Sequence, residues 1–186
     1  MSAQPSKGSN TVRIGGGVWR SRLLRFGDAP GLRPTPDRVR QTLFNWLGQE
    51  LHGKRCLDLF AGTGALGFEA ASRGAMQVVM VENNAATQLN LQKNAQLLGA
   101  EQIEIQRNEA LRFLTANTQH FDIIFIDPPF NQGWVEKLLP QLAPCLAPDG
   151  VVYVEAEKPV TDDSGWQVLK SGKAGNVQYH LLSLLK

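Results

Sequence analysis

The chain has 186 residues, of which 42% are hydrophobic and 19% charged. That length suits one domain, or one with a short appendage, and its core needs no disulfide or metal staple; the composition excludes wholesale disorder. The net charge of +2 conceals a division: ten Lys and Arg against three acids from Met1 to Arg55, a net of +7, and nine against fourteen in the rest, a net of −5.

In chain order, Met1–Asn10 is polar and reads as a loose tail without the apolar stretch of an export signal. With only Cys56 and Cys145, a cytoplasmic protein with two buried thiols is expected. Thr11–Phe26 reads as a small hairpin around Gly15-Gly16-Gly17, with Val12 and Ile14 before it and Val18, Trp19, Leu23 and Leu24 after it. Gly27–Pro36 is loop. A helix then starts near Thr35 or Asp37, either of which could cap it, and buries Val39, Leu43, Phe44, Trp46 and Leu47. Gly48 or His52-Gly53 ends it. Residues 11–53 thus form a basic hairpin-and-helix extension, and residues 54–186 a second region.

That second region alternates. Strands at Cys56–Phe60, Val78–Val81, Ile103–Ile105, Phe121–Ile126 and Val151–Val154 are separated by helices to Arg73, at Ala85–Leu98 stopped by Gly99, at Ala110–Ala116 and at Gly133–Cys145. Trp166–Leu169 and Val177–Leu185 form a last hairpin on a glycine-rich turn, Ser171–Gly175. The pattern predicts an α/β, Rossmann-like parallel sheet with an antiparallel edge. No apolar run exceeds about four residues, far below the roughly 20 of a membrane helix.

Ala61-Gly62-Thr63-Gly64-Ala65-Leu66-Gly67 satisfies G-x-G-x-x-G between a strand and a helix, and Glu82 ends the next strand. Such glycines let backbone approach a nucleoside cofactor, and such an acid accepts from ribose hydroxyls; the bland alternative is a tight turn that binds nothing. Asp58, inside the strand, would repel a pyrophosphate but suits a cationic ligand with an amino group. That favours S-adenosylmethionine (SAM) over NAD. Asn83 and Asn84 border the same pocket, unless the second simply caps the next helix.

Asp127-Pro128-Pro129-Phe130 follows the fourth strand, where ligands of open α/β sheets bind. A carboxylate and a proline carbonyl can accept hydrogen bonds from an exocyclic amine, and Phe130 can stack on a base. The alternative is a stiff turn with Phe130 in the core.

These motifs together resemble SAM-dependent methyltransferases of exocyclic nucleic-acid amines. Gly16–Arg22 and Gly31–Leu47, the latter reading GLRPTPDRVRQTLFNWL, narrow the resemblance to the small-subunit rRNA methyltransferase D family, over about Val12 to Lys186. The resemblance implies a class I SAM-dependent methyltransferase that modifies N2 of one guanine, number 966, in 16S rRNA, free or in the small ribosomal subunit. It implies Asp127, Pro128, Pro129 and Phe130 as the catalytic segment, and Asp58, Ala61, Gly62, Thr63, Gly64, Glu82, Asn83, Asn108, Glu109 and Ala110 around the cofactor. Ser21 stands where the family usually has glycine, and Glu109 where it usually has Asp or Asn.

Arg20, Arg22, Arg33, Arg38 and Arg40 are the candidate phosphate contacts, since guanidinium groups bind phosphate bidentately. Trp46 is expected in the core; Trp19 could stack on a base. The scattered His52, His120 and His180 have no ligand spacing, so no metal site is expected. Two other readings remain at this point: a DNA adenine-N6 methyltransferase, and a non-catalytic RNA-binding assembly factor.

Overall fold

A computed structural model of the chain describes residues 10–162 and 165–186. The expected loose tail lies outside the described residues except for Asn10. A two-stranded antiparallel sheet pairs β1 (Thr11–Arg13) with β2 (Leu23–Arg25). It is followed by α1 (Asp37–Leu47), β3 (Arg55–Asp58), α2 (Ala65–Ser72), β4 (Gln77–Glu82), α3 (Ala85–Leu98), β5 (Ile103–Arg107), α4 (Ala110–Ala116), β6 (Phe121–Ile126), α5 (Trp134–Leu142), β7 (Leu146–Ala156), β8 (Trp166–Ala174) and β9 (Val177–Leu184).

The main sheet has the order β5-β4-β3-β6-β7-β9-β8. Strands β3 to β7 are parallel, and β9 enters antiparallel between β7 and β8. This is the Rossmann-like α/β sheet that the alternation predicted. Strand order reverses between β3 and β6, which places Asp58, the last residue of β3, and Asp127, the residue after β6, at the switch point where such folds bind ligands.

Successive strand residues face opposite sides, and each side has its own core. Cys56, Val78, Met80, Ile123, Phe125 and Tyr153 meet α2 and α1 on one face. Leu57, Val79, Val81, Ile124, Val152 and Val154 meet α4 and α5 on the other. Val12, Ile14, Leu24, Val39, Leu43 and Phe44 belong to the first of these cores, so the N-terminal segment shares its apolar interior with the sheet. Trp46 packs on Tyr179 at 5.4 Å between centroids.

Local departures from the sequence reading have physical causes. Neither Thr35 nor Asp37 caps α1; Pro36 occupies the cap position without a side-chain bond, because the Thr35 hydroxyl is used by Glu155 and Asp37 pairs with Arg40. Gly48 does end this helix, in the left-handed conformation. The last hairpin turns at Gly175-Asn176 rather than over Ser171–Gly175, since β8 runs on through Ala174 opposite Val177. Gly172 is there for closeness: a Cβ on it would lie 2.3 Å from the Tyr179 ring. The expected helix to Cys145 closes as α5 plus a 3-10 turn at Ala143–Cys145, with Pro140 and Pro144 interrupting the amide ladder.

Candidate active site

The glycine loop leaves the carboxyl end of β3. Gly64 holds φ +83°, and a Cβ there would lie 2.5 Å from Phe68, so only glycine fits. Asp58 is buried beneath the loop, 2% exposed, and its Oδ2 accepts from Gly67 N–H at 3.1 Å. Burial raises its carboxyl from 3.8 to about 7, with Gly67 N–H lowering it and the Glu82 and Glu155 charges raising it. Glu82 accepts from Gly62 N–H at 2.8 Å and Asn84 N–H at 3.0 Å, one on each oxygen. Each oxygen retains a lone pair for a further donor.

Ala61 and Thr63 are buried within the loop, and Asn108 N–H donates to the Glu82 carbonyl at 3.1 Å. The structure therefore gathers Asp58, Ala61, Gly62, Thr63, Gly64, Glu82 and Asn108, with Glu109 and Ala110 following at the start of α4. Asn83 is exposed beside Glu82; Asn84 caps α3 by accepting from Thr87 N–H at 3.0 Å.

Asp127 is half-buried, Pro128 buried and Pro129 exposed; Phe130 is 37% exposed and so lies outside the core. Burial pushes the Asp127 carboxyl well above the usual range, helped by the Glu155 charge, a hydrogen bond between the two side chains, and the Asp58 charge. Glu155, near the end of β7, is 5% exposed. Its Oε1 accepts from Tyr153 O–H at 2.8 Å and from Thr35 O–H at 3.2 Å. The rule that pointed to Asp127, an acid at the carboxyl end of a strand by the switch point, applied to Glu155 as well; sequence reading missed it.

A cleft of about 500 Å³ opens beside this segment, lined by Pro128, Phe130, Trp134, Glu155, Lys158 and Val160 among others. Its size suits a small ligand or one base. Glu157 holds its wall, accepting from Asn131 N–H at 2.7 and 2.8 Å, where Asn131 turns with φ +62°.

A family model described as "Conserved hypothetical protein 95" matches residues 12–183. Ribosomal RNA small subunit methyltransferase D of Haemophilus influenzae is 42% identical over 96% of both chains. The protein of that name in Escherichia coli is 41% identical over 97% of this chain and 94% of its own. A solved structure of a putative methyltransferase from Escherichia coli superposes with a TM-score of 0.84 at 40% identity, covering 94% of this chain and 98% of that one. The chain belongs to the small-subunit rRNA methyltransferase D family.

Ser21 and Glu109 each occupy a distinctive backbone position. Ser21 has φ +69°, the left-handed region that favours glycine. Glu109 stands at the cap position of α4 with no side-chain cap bond.

The candidate arginines divide into three groups. Leu32 lies 3.3 Å from the place of a Cβ on Gly62, and Thr35 touches Glu155, so the segment between them crosses the carboxyl ends of β3 and β7. That segment carries Arg33, and Arg38 follows it; both are exposed and form no ion pair among the described residues. Arg20 and Arg22 are exposed at the opposite end of the sheet. There Val18 N–H bonds the Ser72 carbonyl and Arg22 reaches the Leu97 carbonyl, at the far ends of α2 and α3. Helix α3, at 14 residues, separates them from the site by about 21 Å along its axis.

Arg40 corrects the sequence reading. It is 4% exposed and spends its guanidinium on the Thr35 and Arg13 carbonyls, Asp37 and Glu69, leaving no fork for a phosphate. With Arg73 it neutralises Glu69, itself 1% exposed, and joins α1 to α2.

Proposed function

We propose that this protein transfers a methyl group from SAM to the exocyclic N2 amine of a guanine in 16S rRNA, the guanine numbered 966. The observation that carries the reading is the pairing of Asp58 and Asp127 across the switch point: an acid under a glycine loop on one strand, an acid-Pro-Pro-Phe segment on its neighbour. The names of the relatives supply the class of RNA.

The residues present fit SAM. Asp58 is a buried carboxyl that accepts from Gly67 N–H and pairs with no cation among the described residues, so an ammonium group would give it a charge partner. Glu82 has lone pairs for ribose hydroxyls, and Asn108, Glu109 and Ala110 border the place of the adenine. SAM supplies an electrophilic methyl carbon on a cationic sulfur. The chain's task is to place the amine in line with that carbon. The guanine N2 lone pair is delocalised into its ring. Hydrogen bonds from the amine to Asp127 and to the Pro128 carbonyl turn that lone pair toward the methyl group, while Phe130 stacks the base. Such positioning is worth up to about 7–11 kcal/mol in favourable cases. The base must leave its stack first, and the cleft beside Phe130 receives it.

Arg33 and Arg38 contact phosphates next to the target, whereas Arg20 and Arg22 reach RNA farther away. The partner is 16S rRNA, free or in the small subunit. Incubation with labelled SAM and naked 16S rRNA, small subunits or duplex DNA, followed by nucleoside analysis, tests the reading. N2-methylguanosine from either ribosomal substrate is expected. Label in N6-methyladenine of DNA, or turnover undiminished in Asp127→Ala, overturns it.

A further inference from the structure

We propose that His180 is a positioning residue for methyl transfer: from the antiparallel edge of the sheet it holds residues 157–162 in place as one wall of the cleft that receives the target base. The inference rests on the reaction proposed above and gives a role to a residue that belongs to none of the motifs.

The wall is a loop. Residues 157–162 leave β7 outside regular secondary structure, so bonds to side chains fix their course. Lys158 and Val160 line the cleft together with Phe130 and Trp134, and Val160 also packs against the second core. Bonds pin the segment at its start, middle and end. The Glu157 carboxylate accepts from Asn131 N–H at 2.7 and 2.8 Å, next to Phe130. Val160 N–H donates to His180 Nε2 at 3.1 Å. Asp162 Oδ1 accepts from Val168 N–H at 2.6 Å. The outer two bonds are exposed, whereas His180 is only 3% exposed. Its place is set by β9, where it lies opposite Val154 of β7 and Ser171 of β8.

The same bond fixes the state of the ring. Val160 N–H is a donor, so Nε2 presents its lone pair, and the proton of the neutral ring lies on Nδ1. Nδ1–H then donates to Ser171 Oγ at 3.0 Å. Both nitrogens are thereby used, one toward the wall and one toward β8. A second proton, on Nε2, would set donor against donor and release Val160. Burial holds the ring below its ordinary 6.5 and so keeps the acceptor at neutral pH. Charges on the surrounding elements are engaged elsewhere. Glu155 accepts from Tyr153 and Thr35, Glu157 from Asn131, and Asp162 from Val168. Lys158, Lys170 and Lys173 are exposed, and no ion pair joins His180 among the described residues. A wall released from His180 widens the cleft around a base stacked on Phe130. The target amine then loses its line to the methyl carbon, and a misplacement of about 1 Å costs on the order of 100-fold in rate.

The test compares two variants and reads the ring directly. His180→Phe keeps a ring and loses the acceptor; His180→Gln again offers an acceptor to Val160 and a donor to Ser171. Single-turnover transfer at saturating SAM and 16S rRNA should fall on the order of 10- to 100-fold in His180→Phe. SAM affinity and the RNA concentration for half-maximal rate should stay within about twofold of wild type, because the glycine loop and Arg33 and Arg38 are untouched. His180→Gln should recover most of the rate, a rescue that loss of packing alone would not give. Imidazole 15N NMR of the free wild-type protein should show a neutral ring with its proton on Nδ1 at pH 7, which keeps the proposal open to refutation should His180→Phe not fold. A wild-type rate in His180→Phe, a His180→Gln as slow as His180→Phe, SAM affinity falling in step with the rate, or a wild-type ring carrying its proton on Nε2 each overturns the proposal. The NMR arm needs no reaction, so a wild-type protein with the expected ring that left guanine unmethylated would overturn the assigned reaction while the anchored wall stood.

Discussion

Thr35 donates its hydroxyl to Glu155 at 3.2 Å, across 120 positions of the chain. The bond is buried at both ends, with Thr35 6% and Glu155 5% exposed. Thr35→Val keeps the shape of the side chain and removes the donor. Glu155 Oε1 keeps the Tyr153 donor, so the loss is that of one hydrogen bond, about 0.5–1.5 kcal/mol, and the urea midpoint should fall accordingly. An unchanged midpoint would show that the bond contributes nothing.

The proposed role of Asp58 links cofactor binding to pH. Its folded value of about 7 lies above the ordinary 3.8. Its contribution to stability is therefore full below about pH 4 and is lost as pH rises toward 7. An ammonium ligand reverses the preference by requiring the ionised form. SAM affinity should fall by up to about tenfold for each pH unit below about 7, with a proton released on binding in that range. Calorimetry in buffers of different ionisation enthalpy measures that proton. Asp58→Asn should bind weakly and lose the pH dependence; a wild-type affinity flat from pH 5 to 8 would contradict the assignment.

The arginines should separate by place. Arg33 lies in, and Arg38 follows, the segment that touches Gly62 and Glu155, so replacing both by Gln should weaken binding of 16S rRNA. The slope of log affinity against log salt should shrink by about 0.7–0.9 for each phosphate left without its arginine. Arg20 and Arg22 should matter only for RNA long enough to reach the other end of the sheet, and a short hairpin carrying the target guanine should bind their Gln variants as it binds wild type. Filter binding across a salt series reads both.

Arg40→Met should behave quite differently from Arg38→Gln. It leaves Glu69 buried with Arg73 as its remaining cation. Glu69 thus stays compensated, and the cost is that of the lost second cation and of the carbonyls of Thr35 and Arg13 left without their donor, about 1–3 kcal/mol. Thermal melting should show that loss, and folded Arg40→Met should retain the salt slope of wild type. A reduced slope would return Arg40 to the RNA-facing group.

Features whose cause is local could be read from the sequence. Gly64, Asp58 and Asp127 announce themselves because each lies within a few residues of its own signal: a strand end and a glycine-rich turn for Asp58 and Gly64, a stiff Pro-Pro for Asp127. Helix α3 ends where the sequence predicts because its stop, Gly99, is adjacent to it. What escaped depends on partners far along the chain. Arg38 and Arg40 have the same chemistry, and only the packing of α1 against α2 exposes one and buries the other. Thr35 reads as a helix cap until Glu155 is seen to claim its hydroxyl. Glu155 lies near the end of β7, where the strand-end rule applied, but no motif singles it out, and its place beside β6 comes with the fold.

The shared interior of the N-terminal segment and the sheet also orders assembly in time. Val39, Leu43 and Phe44 pack against Phe125, Tyr153 and Tyr179, partners made late in synthesis. The neighbouring βα units of the sheet close much shorter loops, and loops that are costly to close form later in folding. The segment made first therefore docks last, and pulse-labelled hydrogen exchange should show α1 gaining protection after β3 to β6. Until it docks, Arg33 and Arg38 are not held beside Asp58 and Asp127, so a half-folded chain lacks the assembled surface proposed to grip RNA.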